Sequence, residues 1–301
     1  MTAIASRASV IEGIGIRLLA AFLITAMSAV VHAVSHEVPL GQIIFWRSAV
    51  ALVPICGYMV LRHQFPAALA SRNPRLHLTR GLYGALSMAL SFVSLAYLPV
   101  ANAQALAFLA PVLTLPMAAL MLKERLAPVV ITASALGFGG VIAMLWSALE
   151  APGQGALIGI AAGLAYALTM AFVRVHIKAM TATESPATIV FWFAVICAGV
   201  GLATLPFGWV VPDLPTLGLL VATGLLGGLG HIAATEATAR APVSVLAPFD
   251  FTGLIWALGF DILLFAVMPG PLALAGVAAI TLAGVVVTAA GARPQPLRTG
   301  P

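Results

Sequence analysis

Ionisable side chains are scarce in this sequence, and those that interrupt its long apolar runs are the ones that could do chemistry. Arg47 lies in the run 40–61, about 10 Å from its start at roughly 1.5 Å per helical residue. A guanidinium there offers a bidentate fork to a substrate carboxylate; it could equally snorkel to the interface or bond carbonyls of a neighbouring helix. Asp250 follows Pro248 in the run 242–266, about 14 Å from Arg240. Beside a proline that frees a helix carbonyl, it could hold an ammonium or a proton, or be a neutral carboxyl bonded to a neighbouring helix. Glu236 precedes Arg240 by one helical turn, the spacing of a surface ion pair. His32 and His231 could respond to pH or simply pack as neutral hydrogen-bonding rings.

Polar and aromatic stripes accompany these groups. Tyr83, Ser87 and Ser91 share one helix face, and so do Tyr166, Thr169 and Met170. They could line a cavity for an amphipathic solute, or serve as packing and hydroxyl glue between helices. Pro111, Pro116 and Pro248 are candidate kinks at gates. Gly224, Gly227, Gly228 and Gly230 permit close helix approach but form no phosphate loop, since no Lys-Ser/Thr follows. Cys56 and Cys197 read as buried, inert thiols. No His, Cys, Asp and Glu spacing fits a metal, no cofactor is implied, and no nucleophile, base and orienter assemble into an enzyme.

The elements that must position these residues follow from composition. Of 301 residues, 62% are hydrophobic and 8% charged, against roughly 25% charged in an ordinary soluble domain. Each membrane span needs about 20 apolar residues. The windows predict ten spans near 14–34, 40–61, 79–97, 101–121, 128–147, 155–173, 187–205, 216–236, 242–266 and 271–290. With both termini on one side, the loops of that side hold every basic residue except Arg47, including Arg17 and Arg80. The opposite loops hold Glu37, Glu150, Asp213 and Asp261. The positive-inside rule then makes the termini cytoplasmic.

The chain also repeats itself. Ile43-Ile-Phe-Trp-Arg-Ser48 matches Ile189-Val-Phe-Trp-Phe-Ala194, and Leu109-Ala-Pro111 with Glu124 matches Leu246-Ala-Pro248 with Asp261. The expected fold is all-α and integral to the membrane, with ten transmembrane helices as two inverted five-helix repeats, 1–150 and 151–301. An odd number of spans per repeat forces the inversion, an architecture suited to alternating access.

The run Ala101-Asn-Ala-Gln-Ala through Leu126, the Gly137-Phe-Gly-Gly140 stretch and the second copy from Arg240 to Asp261 resemble the ten-helix drug/metabolite transporter superfamily, in particular its EamA-type members. The resemblance covers residues 15–290 and is closest to bacterial exporters of amino acids, including aromatic ones. It implies a central cavity among helices 1–4 and 6–9, with 5 and 10 peripheral. The expected function is export of amino acids across the inner membrane by alternating access. The alternatives are uptake of S-adenosylmethionine or a nucleoside-type metabolite and, from other classes, a membrane enzyme or scaffold. Expected partners are the small-molecule substrate and the bilayer, with no nucleic acid, in a monomer or homodimer.

Overall fold

The computed structural model describes residues 7–110, 113, 128–150, 153–180, 183–241, 246 and 249–291. Among these are ten α-helices and no strand: α1 (Arg7–Val34), α2 (Leu40–Leu61), α3 (Pro74–Tyr97), α4 (Val100–Ala107), α5 (Pro128–Glu150), α6 (Ala156–Met180), α7 (Pro186–Leu202), α8 (Leu214–Arg240), α9 (Thr252–Phe265) and α10 (Pro271–Gly291). Segments within α1, α2, α3, α6 and α8 are long and apolar enough to cross a membrane, and α7 and α9 are shorter apolar helices.

Local chemistry sets the helix starts. Proline opens α3, α5, α7 and α10, where its missing N–H costs nothing and its φ is already helical. Ser185 Oγ caps α7 by accepting from the Thr188 N–H at 3.1 Å, and Asp213 Oδ1 caps α8 by accepting from the Thr216 N–H at 3.0 Å. Two helices begin earlier than hydropathy predicts: α1 at Arg7 and α3 at Pro74. Arg17 and Arg80, expected in loops, therefore lie inside helices. An apolar window stops at an arginine, whereas the backbone ladder does not. The expected spans 101–121 and 242–266 are interrupted by turns at Phe108 and Phe251, whose rings stack at 4.9 Å. Pro111, Pro116 and Pro248 lie outside the described residues.

The principal pairings are α1 on α8, α3 on α6, α2 on both α7 and α8, and α5 on α10. Exchanging each helix with the one five places on maps α1–α8 onto α6–α3 and leaves α2–α7 and α5–α10 in place. Close approach depends on missing side chains. A Cβ on Gly228 would lie 2.6 Å from Pro54 Cγ, and one on Gly276 would lie 2.5 Å from the Gly140 carbonyl oxygen. The main core draws on both halves, with Val31, Ile43, Phe92, Leu106 and Leu254 all buried.

Candidate functional site

Four helices bring their polar residues to one point. Arg47 enters from α2 and Arg80 from the antiparallel α3, each about two turns from its own helix start. The ring of Phe193, on α7, lies between them: Arg47 Cζ is 5.9 Å and Arg80 Cζ 4.3 Å from its centroid, within cation–π range. His231, on α8, accepts at Nε2 from Arg47 Nη2 at 2.9 Å. A nitrogen that accepts carries no proton, so this imidazole is neutral with its hydrogen on Nδ1. Tyr166 on α6 stands within electrostatic reach of Arg47, and Cys197 on α7 within reach of both arginines.

These arginines are buried, and no carboxylate among the described residues pairs with either. Arg47 is 5% exposed and Arg80 9%, so neither snorkels. Arg47 Nε, Arg80 Nε and Arg80 Nη1 lack hydrogen-bond partners, as does Ser87 Oγ, two turns beyond Arg80 on α3. An arginine at mid-membrane costs about 3 kcal/mol on insertion scales, so a pair costs about 6, comparable with the roughly 5–15 kcal/mol net stability of a domain. The backbone makes room for them. A Cβ on Gly84 would sit 2.2 Å from Arg80 Nη1 and 2.5 Å from Phe193 Cε2, and one on Gly227 would sit 3.3 Å from Arg47 Nε.

The carboxylates among the described residues are engaged elsewhere. Asp250, expected either to hold an ammonium or a proton or to be a neutral carboxyl bonded to a neighbouring helix, is held in an ion pair: Arg17 on α1 grips it with two prongs, Nη2 to Oδ2 at 2.6 Å. Glu236 pairs with Arg240 as expected, and also accepts from Arg62 and, at 2.6 Å, from Tyr58 Oη. Arg240 continues the network to Glu12 at 3.0 Å. Asp261, expected in a loop, is a buried residue of α9 that caps α4, accepting from the Val100 and Ala101 N–H groups at 2.8 and 2.7 Å. Glu184, between α6 and α7, holds the turn that leads into α3, accepting from the Asn73 and Arg72 N–H groups at 2.8 and 2.9 Å and from Ser71 Oγ at 3.1 Å. Burial alone would raise the Glu184 pKa, but the Asn73 N–H, Ser71 and Arg72 hold it below the usual carboxylate range. Glu37 receives Thr216 Oγ1 at 3.4 Å, and Asp213 caps α8. Glu124 and the side chain of Glu150 lie outside the described residues.

Two cavities are present, and the smaller of them includes His231 of the cluster. One of about 560 Å³ lies on the side away from the termini, lined by His32, His36, Tyr97, Gln154 and neighbours. There His32 Nδ1 donates to the Leu95 carbonyl, and its ring meets Phe265 edge-on at 4.6 Å. The other, about 120 Å³, runs between α2, α7 and α8 on the side of the termini, with Tyr58, Ser185, Thr235 and His231 in its wall. Tyr58 in its wall donates to Glu236, and the narrow cavity reaches His231, the partner of Arg47.

Of the residues expected to line a cavity, the structure brings together Arg47, His231 and Tyr166, with Ser87 on the buried face of α3. Tyr83 is 45% exposed and packs on Phe172 at 5.0 Å, away from the arginines. Ser91 is half-buried, and Thr169 returns its hydroxyl to the Ala165 carbonyl at 2.7 Å. Phe193 is not among the residues expected at the site, and Arg80 lies in α3 where a loop is expected. The available signal was the spacing of Arg80, Gly84, Ser87 and Ser94, which are buried on α3.

Comparison with known proteins identifies the family. Residues 11–146 match the model of the EamA-like transporter family. The pseudopaline exporter CntI of Pseudomonas aeruginosa is 28% identical over 92% of this chain and 96% of its own. A riboflavin transporter of Rhizobium johnstonii is 30% identical over 70% of this chain and 68% of its own. A solved crystal structure shares the fold, with a TM-score of 0.69 at 18% identity over 93% of this chain and 97% of that one. The chain therefore belongs to the EamA-like transporter family of the drug/metabolite transporter superfamily, multi-pass membrane proteins that carry small metabolites.

Proposed function

We propose that this transporter exports amino-acid-type metabolites across the inner membrane, termini cytoplasmic, by alternating access between two inverted five-helix repeats. The observation that carries this reading is buried Arg47, bonded to neutral His231 at the end of a narrow cleft. A guanidinium held there presents a donor fork to a carboxylate, while Phe193 and Tyr166 provide apolar and aromatic surface. The helix exchange noted above supports the repeat, and the positive-inside distribution of arginines and lysines supports the orientation. Ion pairs between α1, α2, α8 and Asp250 join helices on the side of the termini. The wider cavity lies on the other side, which fits a conformation open away from the cytoplasm.

Transport requires the substrate to bind both conformations with similar strength, because excess affinity in either would block release. His231 engages Arg47 as a neutral acceptor and needs no proton for that bond, so passive exchange suffices. Counterflow in proteoliposomes with labelled amino acids, with and without a pH gradient, tests the proposal. Saturable exchange that Arg47→Gln abolishes is expected. Wild-type protein that exchanges no amino-acid-type solute would refute it.

A further inference from the structure

Charge balance narrows the substrate class. Arg47 and Arg80 face one aromatic ring, three of their nitrogens lack partners, and no described carboxylate pairs with either. Neutral His231 neither adds nor removes charge. We propose that Arg47 and Arg80 together form one binding site for a solute carrying two carboxylate groups, an inference that rests on the transport reading above.

In a low-dielectric site the ligand must supply what the protein lacks. A zwitterion with a single carboxylate brings no net charge and only one acceptor group for two guanidinium forks. A monocarboxylate leaves one guanidinium uncompensated. A dicarboxylate neutralises both, one fork to each carboxylate. Ser87 Oγ, buried and unpartnered on the Arg80 face of α3, is a further donor. The α3 and α8 backbones lie directly against these guanidinium groups, with Gly84 against Arg80 Nη1 and Gly227 against Arg47 Nε.

The test compares ligands that differ by one charge. Thermal unfolding of the purified full-length protein is measured with glutarate, butyrate or inorganic phosphate, and proteoliposome counterflow with labelled glutamate or glutamine. Glutarate should raise the unfolding midpoint where butyrate at equal concentration does not. Glutamate should exchange at least about tenfold faster than glutamine. Arg80→Gln should erase the glutarate effect and slow glutamate exchange about tenfold, more than it slows glutamine exchange. Arg80→Lys, which keeps the charge and loses the fork, should recover part of the preference. Equal exchange of glutamate and glutamine by the unmutated protein, or stabilisation by phosphate and not glutarate, overturns the two-carboxylate site and leaves the transport reading standing. Absence of exchange with every amino-acid-type solute overturns both. The ligand comparison on unmutated protein holds even where a variant fails to fold.

Discussion

Substituting Glu236→Gln should open the side of the termini, and the structure sets the scale of the effect. The Glu236 carboxylate, 13% exposed, binds Arg62, Arg240 and Tyr58, joining α2 to α8. Gln keeps the shape and loses the charge, so it weakens three charge-assisted bonds. A buried bond of this kind contributes about 1.5–3 kcal/mol. Arg62 is 47% exposed, however, and exposed pairs contribute well under about 1 kcal/mol. A net loss of about 1.5–2 kcal/mol remains if the network exists only in the closed state. At about 1.4 kcal/mol per factor of ten, the open population rises roughly ten- to thirtyfold. Cys197 is a built-in reporter: it is wholly buried near both arginines, and the chain has only two cysteines. In a Cys56→Ser background, a membrane-impermeant thiol reagent applied to the side of the termini should label Cys197 about tenfold faster in Glu236→Gln. An unchanged or slower rate in folded protein would show that the network is no latch.

Three further outcomes follow from the same geometry. Asp261→Ala strands the first two N–H groups of α4 and should destabilise the protein by about 2–3 kcal/mol, with Asp261→Asn costing less; thermal unfolding in detergent measures both. Because Glu184 has a depressed folded pKa, its stabilisation is full above the ordinary glutamate value of roughly 4.3. It is lost as pH falls through the lower folded value, so Glu184→Gln should flatten this acid limb of the unfolding midpoint. Gly84→Ala places a methyl 2.2 Å from Arg80 Nη1 and should displace the guanidinium. A several-fold rise in the substrate concentration for half-maximal exchange, with protein yield unchanged, is the expected readout.

The helices were legible because their signals are local: apolar length, N-terminal prolines, and Arg and Lys at one set of ends. Arg47 and His231 could be singled out because each interrupts an apolar run. Arg80 was hidden by the same rule, since it sits at the edge of a run and a charge there marks a boundary. The stripe expected on α3 takes in Tyr83, which is exposed, whereas the buried face carries Arg80, Gly84 and Ser87. Asp250, Asp261 and Glu184 were illegible for another reason. Their partners are Arg17 or backbone N–H groups in the other half of the chain, and a backbone donor leaves no mark in a sequence. The one trace was the pair Glu37-Val-Pro39 and Glu184-Ser-Pro186 ahead of the matched helices α2 and α7.

Those crossing caps also bear on how the chain is assembled. The N–H groups of Val100 and Ala101 have their acceptor 161 and 160 positions later in the sequence, and that of Asn73 has its acceptor 111 positions later. A ribosome working from the first residue thus releases α3 and α4 into the membrane with polar ends still waiting for carboxylates not yet synthesised. The first half is chemically incomplete until the second has been threaded beside it, which makes co-expression of severed halves, rather than expression of either alone, the way to recover a folded molecule.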